Sequence, residues 1–295
     1  MTKSRFGLSV AISTPFDRAG ALDIPRLVAH GKWCLAHGCD SITLFGTTGE
    51  GASVGLSTRA KVFEAMINAG IRPQTQLLSS VVASAIEDAA DQAAMALDLG
   101  FRGLLLTPPF YFREIGEDAL FQWFAQLFHR LGPKARDMFA YHLPSVTGVP
   151  LSVGLIGRLK REFPGVVVGV KDSSASWANT AALLEQHKEL MILVGDERDL
   201  AKSVRMGGSG SICGLANYAP QIVSSSARDG RDDARIRPVV EAIVRYPVLP
   251  SIKALIAHRT KDPAWRIMRP PQADLDDARS AKMIAEVEAA MAVGG

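Results

Sequence analysis

The sequence predicts a (β/α)8 barrel, in which eight parallel strands form a closed cylinder surrounded by helices. Short apolar runs alternate with longer amphipathic segments about eight times along the chain. Most of the runs are apolar throughout, as expected for strands that are buried on both faces. The length of 295 residues also suits a single barrel, since such barrels typically contain about 250 residues.

The predicted strands follow one another at similar intervals. They are LSVAI (8–12), SITLF (41–45), QLLSSVV (76–82), GLLLT (103–107), MFAYH (138–142), VVVGV (166–170), MILVG (191–195) and GSICG (210–214). The last run is weak and would not be predicted as a strand on its own. An open, doubly wound sheet is the alternative, but it normally carries GxGxxG after the first strand. The sequence there is STPFDRAG.

Amphipathic segments between the strands predict helices at 24–38, 57–70, 84–100, 117–132, 152–163, 177–188 and 197–208. Asp23 is a candidate N-cap for the first of them, and Ser84 with Glu87 forms a candidate capping box. From about residue 215 the remaining sequence has only helical patterns. We therefore predict a barrel over residues 1–225 and a small helical extension over residues 226–295.

Composition argues against several classes of function. The net charge is +3 and the basic residues are scattered, whereas a nucleic-acid-binding surface needs a basic stripe with aromatic residues. Cys34, Cys39 and Cys213 have no CxxC spacing, which predicts free thiols rather than disulfides or a zinc site. The N-terminus does not resemble a signal peptide, and no apolar run approaches the length of a membrane span. We expect a cytoplasmic protein that binds neither nucleic acid nor membrane.

Metal and serine-hydrolase chemistry lack their sequence signatures. The six histidines form no HxH or HExxH pair, and no acidic cluster follows a predicted strand. The GxSxG turn of a Ser-His-Asp hydrolase is absent. The candidates for chemistry are therefore the residues at the carboxyl ends of the strands, where barrel active sites lie.

Lys171 ends the apolar run VVVGVK. Burial there disfavours the charged ammonium, and a neutral lysine amine can attack a carbonyl to form a Schiff base. The structural alternative is an ion pair, for example with Asp172. Tyr141 ends the preceding strand and could exchange protons in the same chamber, or it could simply fill the barrel. His142 points to the other side of its strand, and we expect it to have only a packing or surface role.

The stretch LFGTTGEG (44–51) follows the second strand. A phosphate-binding loop would read GxxxxGK[ST], but no lysine is present here. Exposed backbone amides and two threonine hydroxyls suit a small anion such as a carboxylate. A tight turn without a ligand is an equally good interpretation of this stretch taken alone.

Several motifs, in order, resemble the dihydrodipicolinate synthase / N-acetylneuraminate lyase family of class I pyruvate-dependent aldolases. They are GTTGE (46–50), a TP-aromatic run (107–111), YHLPSVTG (141–148), GVKD (169–172), GDE (195–197), GGSGSICGLANYAP (207–220) and RPP (269–271). Each motif alone is weak, but their shared order is specific and covers essentially the whole chain.

The resemblance implies a role for each matching residue. Lys171 would form the Schiff base with pyruvate or another 2-oxo acid, Tyr141 would carry protons, and Thr47 would relay them to a second tyrosine. Thr48 would hold the pyruvate carboxylate, and Gly46, in the same loop, would also contribute to substrate binding. Gly195 and Ile212 would shape the floor of the site through backbone contacts.

Two positions depart from the family pattern. The second tyrosine, which reaches into a neighbouring subunit in the family, is assigned to Tyr111 because the alternative, Phe110, has no hydroxyl.

The other departure is in the Tyr141 motif, which in the family synthases resembles YNxPSRTG. There the arginine binds the carboxylate of the aldehyde substrate, and this chain has Val146 at that position. Losing such a contact costs about 1.5–3 kcal/mol or more. Aspartate semialdehyde is therefore disfavoured, and a sugar-derived 2-oxo acid fits at least as well. Arg113 is another cation that could reach the site.

The resemblance thus implies an aldolase or lyase that needs no cofactor and forms a homodimer or homotetramer. Two other functions are considered. A sugar-phosphate aldolase would use GGSGS (207–211) to bind phosphate. A non-catalytic sensor would bind a 2-oxo acid without needing the lysine.

Overall fold

Eight parallel strands close into a barrel in a computed structural model that describes residues 5–292, which confirms the predicted fold class. The strands run in sequence order around the barrel, and the last pairs with the first. They are β1 Gly7–Ala11, β2 Ser41–Leu44, β3 Leu77–Val81, β4 Gly103–Leu106, β5 Met138–His142, β6 Val167–Asp172, β7 Met191–Val194 and β8 Gly210–Cys213. All eight predicted strands are present. The weak eighth run forms a strand because it closes the barrel between β7 and β1.

Helices connect the strands and extend beyond the last one. They are α1 Ile24–Ala36, α2 Leu56–Asn68, α3 Pro73–Gln76, α4 Ile86–Asp98, α5 Glu117–Leu131, α6 Pro144–Thr147, α7 Val153–Glu162, α8 Trp177–Gln186, α9 Leu200–Arg205, α10 Pro220–Asp229, α11 Ile236–Val244, α12 Val248–Thr260 and α13 Asp277–Met291. The division into 1–225 and 226–295 stays a prediction, and α10 passes through that position without interruption. None of the helices within residues 5–292 has the length and apolar character needed to span a membrane.

The two predicted helix N-termini have different outcomes. Asp23 caps α1 by accepting a hydrogen bond from the backbone amide of Arg26 at 2.9 Å, as predicted. The capping box at Ser84 and Glu87 is wrong, since α4 begins at Ile86 without a side-chain cap. The Ser84 hydroxyl instead accepts a hydrogen bond from the backbone amide of Phe110 at 3.1 Å. It therefore connects the loops that follow β3 and β4.

Apolar side chains fill both the inside of the barrel and the space between barrel and helices. One glycine in β6 is required by this packing. A Cβ at Gly169 would lie 2.6 Å from the Phe139 ring and 2.4 Å from the carbonyl oxygen of Met191, far inside van der Waals contact. Gly169 thus makes room for Phe139 two residues before Lys171, in the layer beneath the barrel mouth.

A buried ion pair attaches the C-terminal helices to the loop after β2. Lys253 of α12 and Glu50 are in direct contact, and each side chain is only 1% exposed. The Lys253 ammonium also donates to the carbonyl oxygen of Ile267 at 2.8 Å, and Glu50 accepts from the backbone amide of Arg269 at 3.1 Å. Burial lowers the pKa of Lys253, and the Glu50 carboxylate partly opposes that shift.

We expect Glu50→Gln to lower the free energy of unfolding by about 3–5 kcal/mol, because it leaves a buried ammonium without its counter-ion. Urea or thermal unfolding measures the change. Asp98→Asn is the matched control, since it removes a half-exposed partner of Lys134 and should cost less than about 1 kcal/mol. Equal, small effects of the two substitutions would contradict this interpretation of the ion pair.

Candidate active site

The register of two neighbouring strands brings Lys171 and Tyr141 together. Tyr141 of β5 is paired with Lys171 of β6, so both side chains point to the same side, into the mouth of the barrel. Both are buried, at 5% and 3% exposure. The Lys171 ammonium donates a hydrogen bond to the Tyr141 hydroxyl at 3.2 Å. The structure thus places the two predicted residues in direct contact.

The alternative role for Lys171, an ion pair with Asp172, is not what the structure has. Asp172 points to the opposite side of β6, where it accepts hydrogen bonds from Asn179 at 2.9 Å and from Thr180 at 2.7 Å. Within residues 5–292, Lys171 makes no ion pair with a carboxylate. Its amine is buried beside a phenol and free of an acidic partner, which is the arrangement a nucleophilic lysine requires. His142 is buried and accepts from the backbone amide of Leu151, so its role is in packing.

Thr47 extends this contact into a short chain of hydroxyl groups. Its Oγ1 lies 3.4 Å from the Tyr141 hydroxyl. Burial alone would raise the pKa of Tyr141, but the Lys171 charge and hydrogen bonds with Thr47, Lys171 and Ser173 outweigh burial and lower that pKa. A phenol with a lowered pKa gives up its proton more readily, which suits a group that carries protons.

The remaining predicted binding residues surround the same space. Thr48, Gly195 and Ile212 line a cavity of about 340 Å³ together with Lys171 and Tyr141. A Cβ at Gly195 would lie 2.0 Å from the Ser173 hydroxyl oxygen and 3.2 Å from Cε of Lys171. Glycine is therefore needed at this position to leave room beside the lysine.

Gly46 lines an adjoining cavity of about 160 Å³, which shares Thr47, Val146 and Leu249 with the larger cavity. The other two glycines of LFGTTGEG pack closely against the backbone of neighbouring residues, although Gly51 also lines the smaller cavity. A Cβ at Gly49 would lie 2.7 Å from the Ile12 carbonyl oxygen, and one at Gly51 would lie 1.7 Å from the Phe45 carbonyl oxygen. Close packing explains these two glycines, while Thr47 and Thr48 are the residues of the loop that line the larger cavity.

The structure does not bring Tyr111 to this cavity within one chain. Tyr111 is 78% exposed and its ring packs edge-to-face on Phe112. Phe110 is half-buried and lines the smaller cavity beside Thr47. The assignment of Tyr111 as a second proton carrier stays a prediction that depends on a neighbouring subunit.

Val146 lines the cavity where the resemblance leads one to expect an arginine. Arg113, the suggested substitute, is exposed, lies against Gly148 and lines neither cavity. Arg198 does line the larger cavity, but two hydrogen bonds of 2.9 and 2.6 Å join its guanidinium to Asp196. Among residues 5–292, the cavity therefore has Lys171 as its one cation without an acidic partner.

The GGSGS stretch does not line this cavity, so the alternative in which it binds the phosphate of a substrate at this site is not supported. Residues 207–209 lie between α9 and β8, at the amino end of the strand. The Ser209 carbonyl oxygen accepts from the backbone amides of Phe6 and Gly7, at the start of β1. This stretch is thus at the opposite end of the barrel from Lys171. A group of three or more histidine, cysteine or acidic side chains that could hold a metal is likewise not found between residues 5 and 292.

Sequence reasoning missed three parts of the cavity wall. Ser173 follows Lys171 by two residues, and strand alternation was the signal that places both on one side. Glu197 is buried, which raises its pKa, and it accepts from the backbone amide of Leu215 at 3.0 Å. Aliphatic side chains of α11 and α12 also line the cavity, and no sequence motif placed these helices over the barrel mouth.

The Tyr141 environment predicts a specific effect of Lys171→Met on phenol ionisation. In the native protein Tyr141 should ionise below the ordinary value of about 10, because the nearby ammonium stabilises the phenolate. Without that ammonium, burial dominates and the ionisation should move to higher pH. Ultraviolet difference titration against Tyr141→Phe measures it. Tyr218→Phe is the control. Burial raises the pKa of Tyr218, so removing this tyrosine should leave the ionisation of Tyr141 unchanged. An unchanged midpoint in Lys171→Met would contradict the assignment.

Comparison with known proteins agrees with the resemblance noted in the sequence. The model of the dihydrodipicolinate synthetase family matches residues 5–290. A crystal structure of dihydrodipicolinate synthase from Agrobacterium tumefaciens str. C58 is 47% identical, with a TM-score of 0.95 over 97% of this chain and 99% of that one. An uncharacterized DapA-like lyase from Chloroflexus aurantiacus is 28% identical over 97% of both chains. Mouse N-acetylneuraminate lyase is 26% identical over 72% of this chain and 67% of its own.

A solved variant of 2-keto-3-deoxygluconate aldolase from Sulfolobus solfataricus has the same fold, with a TM-score of 0.84 over 97% of this chain and 96% of that one. Its sequence is 22% identical. The family model spans nearly all of the described residues, including every strand of the barrel and the cavity at its mouth. The chain belongs to the dihydrodipicolinate synthetase family and is a lyase of the aldolase type.

Proposed function

We propose that this protein forms a Schiff base between Lys171 and the keto carbon of pyruvate or a related 2-oxo acid. It would then join that carbon skeleton to an aldehyde, or cleave or dehydrate the corresponding longer 2-oxo acid. The single observation that carries the proposal is the buried Lys171 amine, which lies 3.2 Å from the Tyr141 hydroxyl and has no acidic partner among the described residues 5–292. The family relatives named as synthases and lyases support it.

The cavity residues suit the steps of this chemistry. The amine adds to the keto carbon, and loss of water leaves the imine, which draws electrons from the neighbouring carbon. Tyr141, with its lowered pKa, accepts and returns protons in these steps. Thr47 contacts Tyr141 and relays protons, while Thr48 and Gly46 bind the substrate carboxylate through hydroxyl and amide groups. Gly195 and Ile212 leave a close-fitting floor beside the imine.

The same proposal includes the protein's assembly and location. We place it in the cytoplasm as a homodimer or homotetramer, in which Tyr111 of one subunit extends the hydroxyl chain of another. The exposure of Tyr111 leaves it available for such a contact. The lysine imine acts as the electron sink, so no cofactor is required for the reaction.

Treatment with pyruvate and borohydride should leave a stable pyruvyl group on Lys171, because hydride reduces the imine to an amine that cannot hydrolyse. Peptide mapping by mass spectrometry identifies the modified residue. Lys171→Met should carry no adduct, whereas Lys202→Met, which removes an exposed lysine, should label like the native protein. An adduct on another lysine, or none with pyruvate or a longer 2-oxo acid, would reject the proposal.

Exchange of the pyruvate methyl hydrogens with deuterium from D2O tests Tyr141 separately from Lys171. The imine makes these hydrogens acidic, so the native protein should catalyse the exchange, which NMR detects. Tyr141→Phe should slow it by about 10²–10⁴-fold, the usual cost of removing a proton carrier. It should still form the borohydride adduct. Full exchange in Tyr141→Phe would exclude the tyrosine from this role.

A further inference from the structure

The outer wall of the cavity is built almost entirely from aliphatic side chains. Helices α11 and α12 contribute Val240, Ile243, Val244, Val248, Leu249 and Ile252. On α11 these positions recur with helical spacing, so they form one face of the helix turned toward the cavity. Val146, in the short helix α6, is 59% exposed and continues the apolar surface.

The charged groups at the other side of the cavity have partners within the protein, and Ser145, next to Val146, adds a single hydroxyl. Asp196 and Arg198 neutralise each other through their paired hydrogen bonds. The Glu197 carboxylate accepts from the Leu215 amide and is buried. A substrate with several hydroxyl groups would find few free partners beyond the Lys171 end. Leaving such groups against an apolar wall is unfavourable, since a buried polar group without a hydrogen bond loses its interaction with water.

We infer that the aldehyde partner carries an apolar substituent, alkyl or aryl, which packs against the aliphatic wall of α11, α12 and Val146. This inference rests on the proposed function and specifies its second substrate. It differs from the sugar-derived 2-oxo acid that Val146 alone had allowed as a substrate fitting at least as well as aspartate semialdehyde. A sugar acid does not need the missing arginine, but its hydroxyl groups would lie against the aliphatic wall without hydrogen-bond partners.

The reaction is a balanced condensation. Carbon 3 of the pyruvate enamine on Lys171 forms a bond to the aldehyde carbon, and the aldehyde oxygen takes up a proton to become a hydroxyl. Water then hydrolyses the imine. The products are a 4-hydroxy-2-oxo acid with an apolar tail and free Lys171, and no oxidant or reductant takes part.

Three aldehydes of different chemistry test the inference with the native protein. These are isovaleraldehyde, which is branched and apolar, glyceraldehyde, which is hydroxylated, and aspartate semialdehyde, which is charged. NMR of the product gives kcat/KM for each; this product is the 4-hydroxy-2-oxo acid, or for aspartate semialdehyde the cyclic imine that forms when its amine condenses with the 2-oxo group and releases water. We expect kcat/KM for isovaleraldehyde to exceed both others by about 10-fold or more, the effect of a filled hydrophobic pocket.

Val244→Thr tests the wall directly. It keeps the side-chain shape but adds a hydroxyl at a position that is 48% exposed. It should reduce the isovaleraldehyde-to-glyceraldehyde ratio of kcat/KM several-fold, mainly through KM for isovaleraldehyde. Leu99→Thr changes an aliphatic residue outside the cavity, 39% exposed, and should leave the ratio unchanged.

The outcomes separate the inference from the function on which it rests. If pyruvate is trapped on Lys171 but isovaleraldehyde is used no better than glyceraldehyde, or not at all, the inference is overturned and the proposed function stands. An unchanged ratio in Val244→Thr also overturns the role of the wall. If no 2-oxo acid is trapped on Lys171, both fail.

Discussion

The pairing of β5 with β6 is the constraint on which the rest of the site depends. It places Tyr141 and Lys171 side by side at the inner mouth of the barrel. Two glycines adapt the structure around this pair: Gly169 leaves room for Phe139 beneath it, and Gly195 leaves room for Ser173 beside it. A shift of one residue in this register would turn one of these two side chains toward the helices and separate the pair.

The C-terminal helices serve the site in two ways. Through Lys253, α12 holds Glu50, at the end of the loop that carries Thr47 and Thr48. Glu50 has φ 53°, a left-handed conformation that is unfavourable for a glutamate unless the surrounding contacts impose it. Val248, Leu249 and Ile252 of the same helix form part of the aliphatic wall. One helix thus both fixes the position of the predicted carboxylate-binding loop and supplies apolar side chains to the cavity wall opposite that loop.

Much of the fold could be predicted because its signals are local. Apolar runs located all eight strands, and glycine, apolar spacing and Asp23 located most helix ends. The failed capping box shows the limit of such signals. Ser84 has the right spacing to Glu87, but its hydroxyl binds the Phe110 amide, a partner 26 positions away along the chain. Long-range partners of this kind cannot be found from spacing.

The candidate site was predictable where residues end a strand or belong to a motif in the loop that follows it, and unpredictable elsewhere. Lys171 and Tyr141 end neighbouring strands, so barrel topology alone brings them together. The GGSGS stretch was misplaced because its composition suggests a ligand while its position before β8 puts it at the other end of the barrel. The aliphatic wall depends on how α11 and α12 cross the barrel mouth, which is a matter of tertiary packing. For Tyr111 the missing information is the arrangement of neighbouring subunits.

A crystal structure of the protein soaked with pyruvate would test the central claim most directly. The account predicts continuous electron density from Nζ of Lys171 to the keto carbon of pyruvate. The carboxylate of that adduct should contact Thr48, and the Tyr141 hydroxyl should remain within hydrogen-bond distance of the imine. Pyruvate bound without a covalent link to Lys171, or bound outside this cavity, would contradict the account.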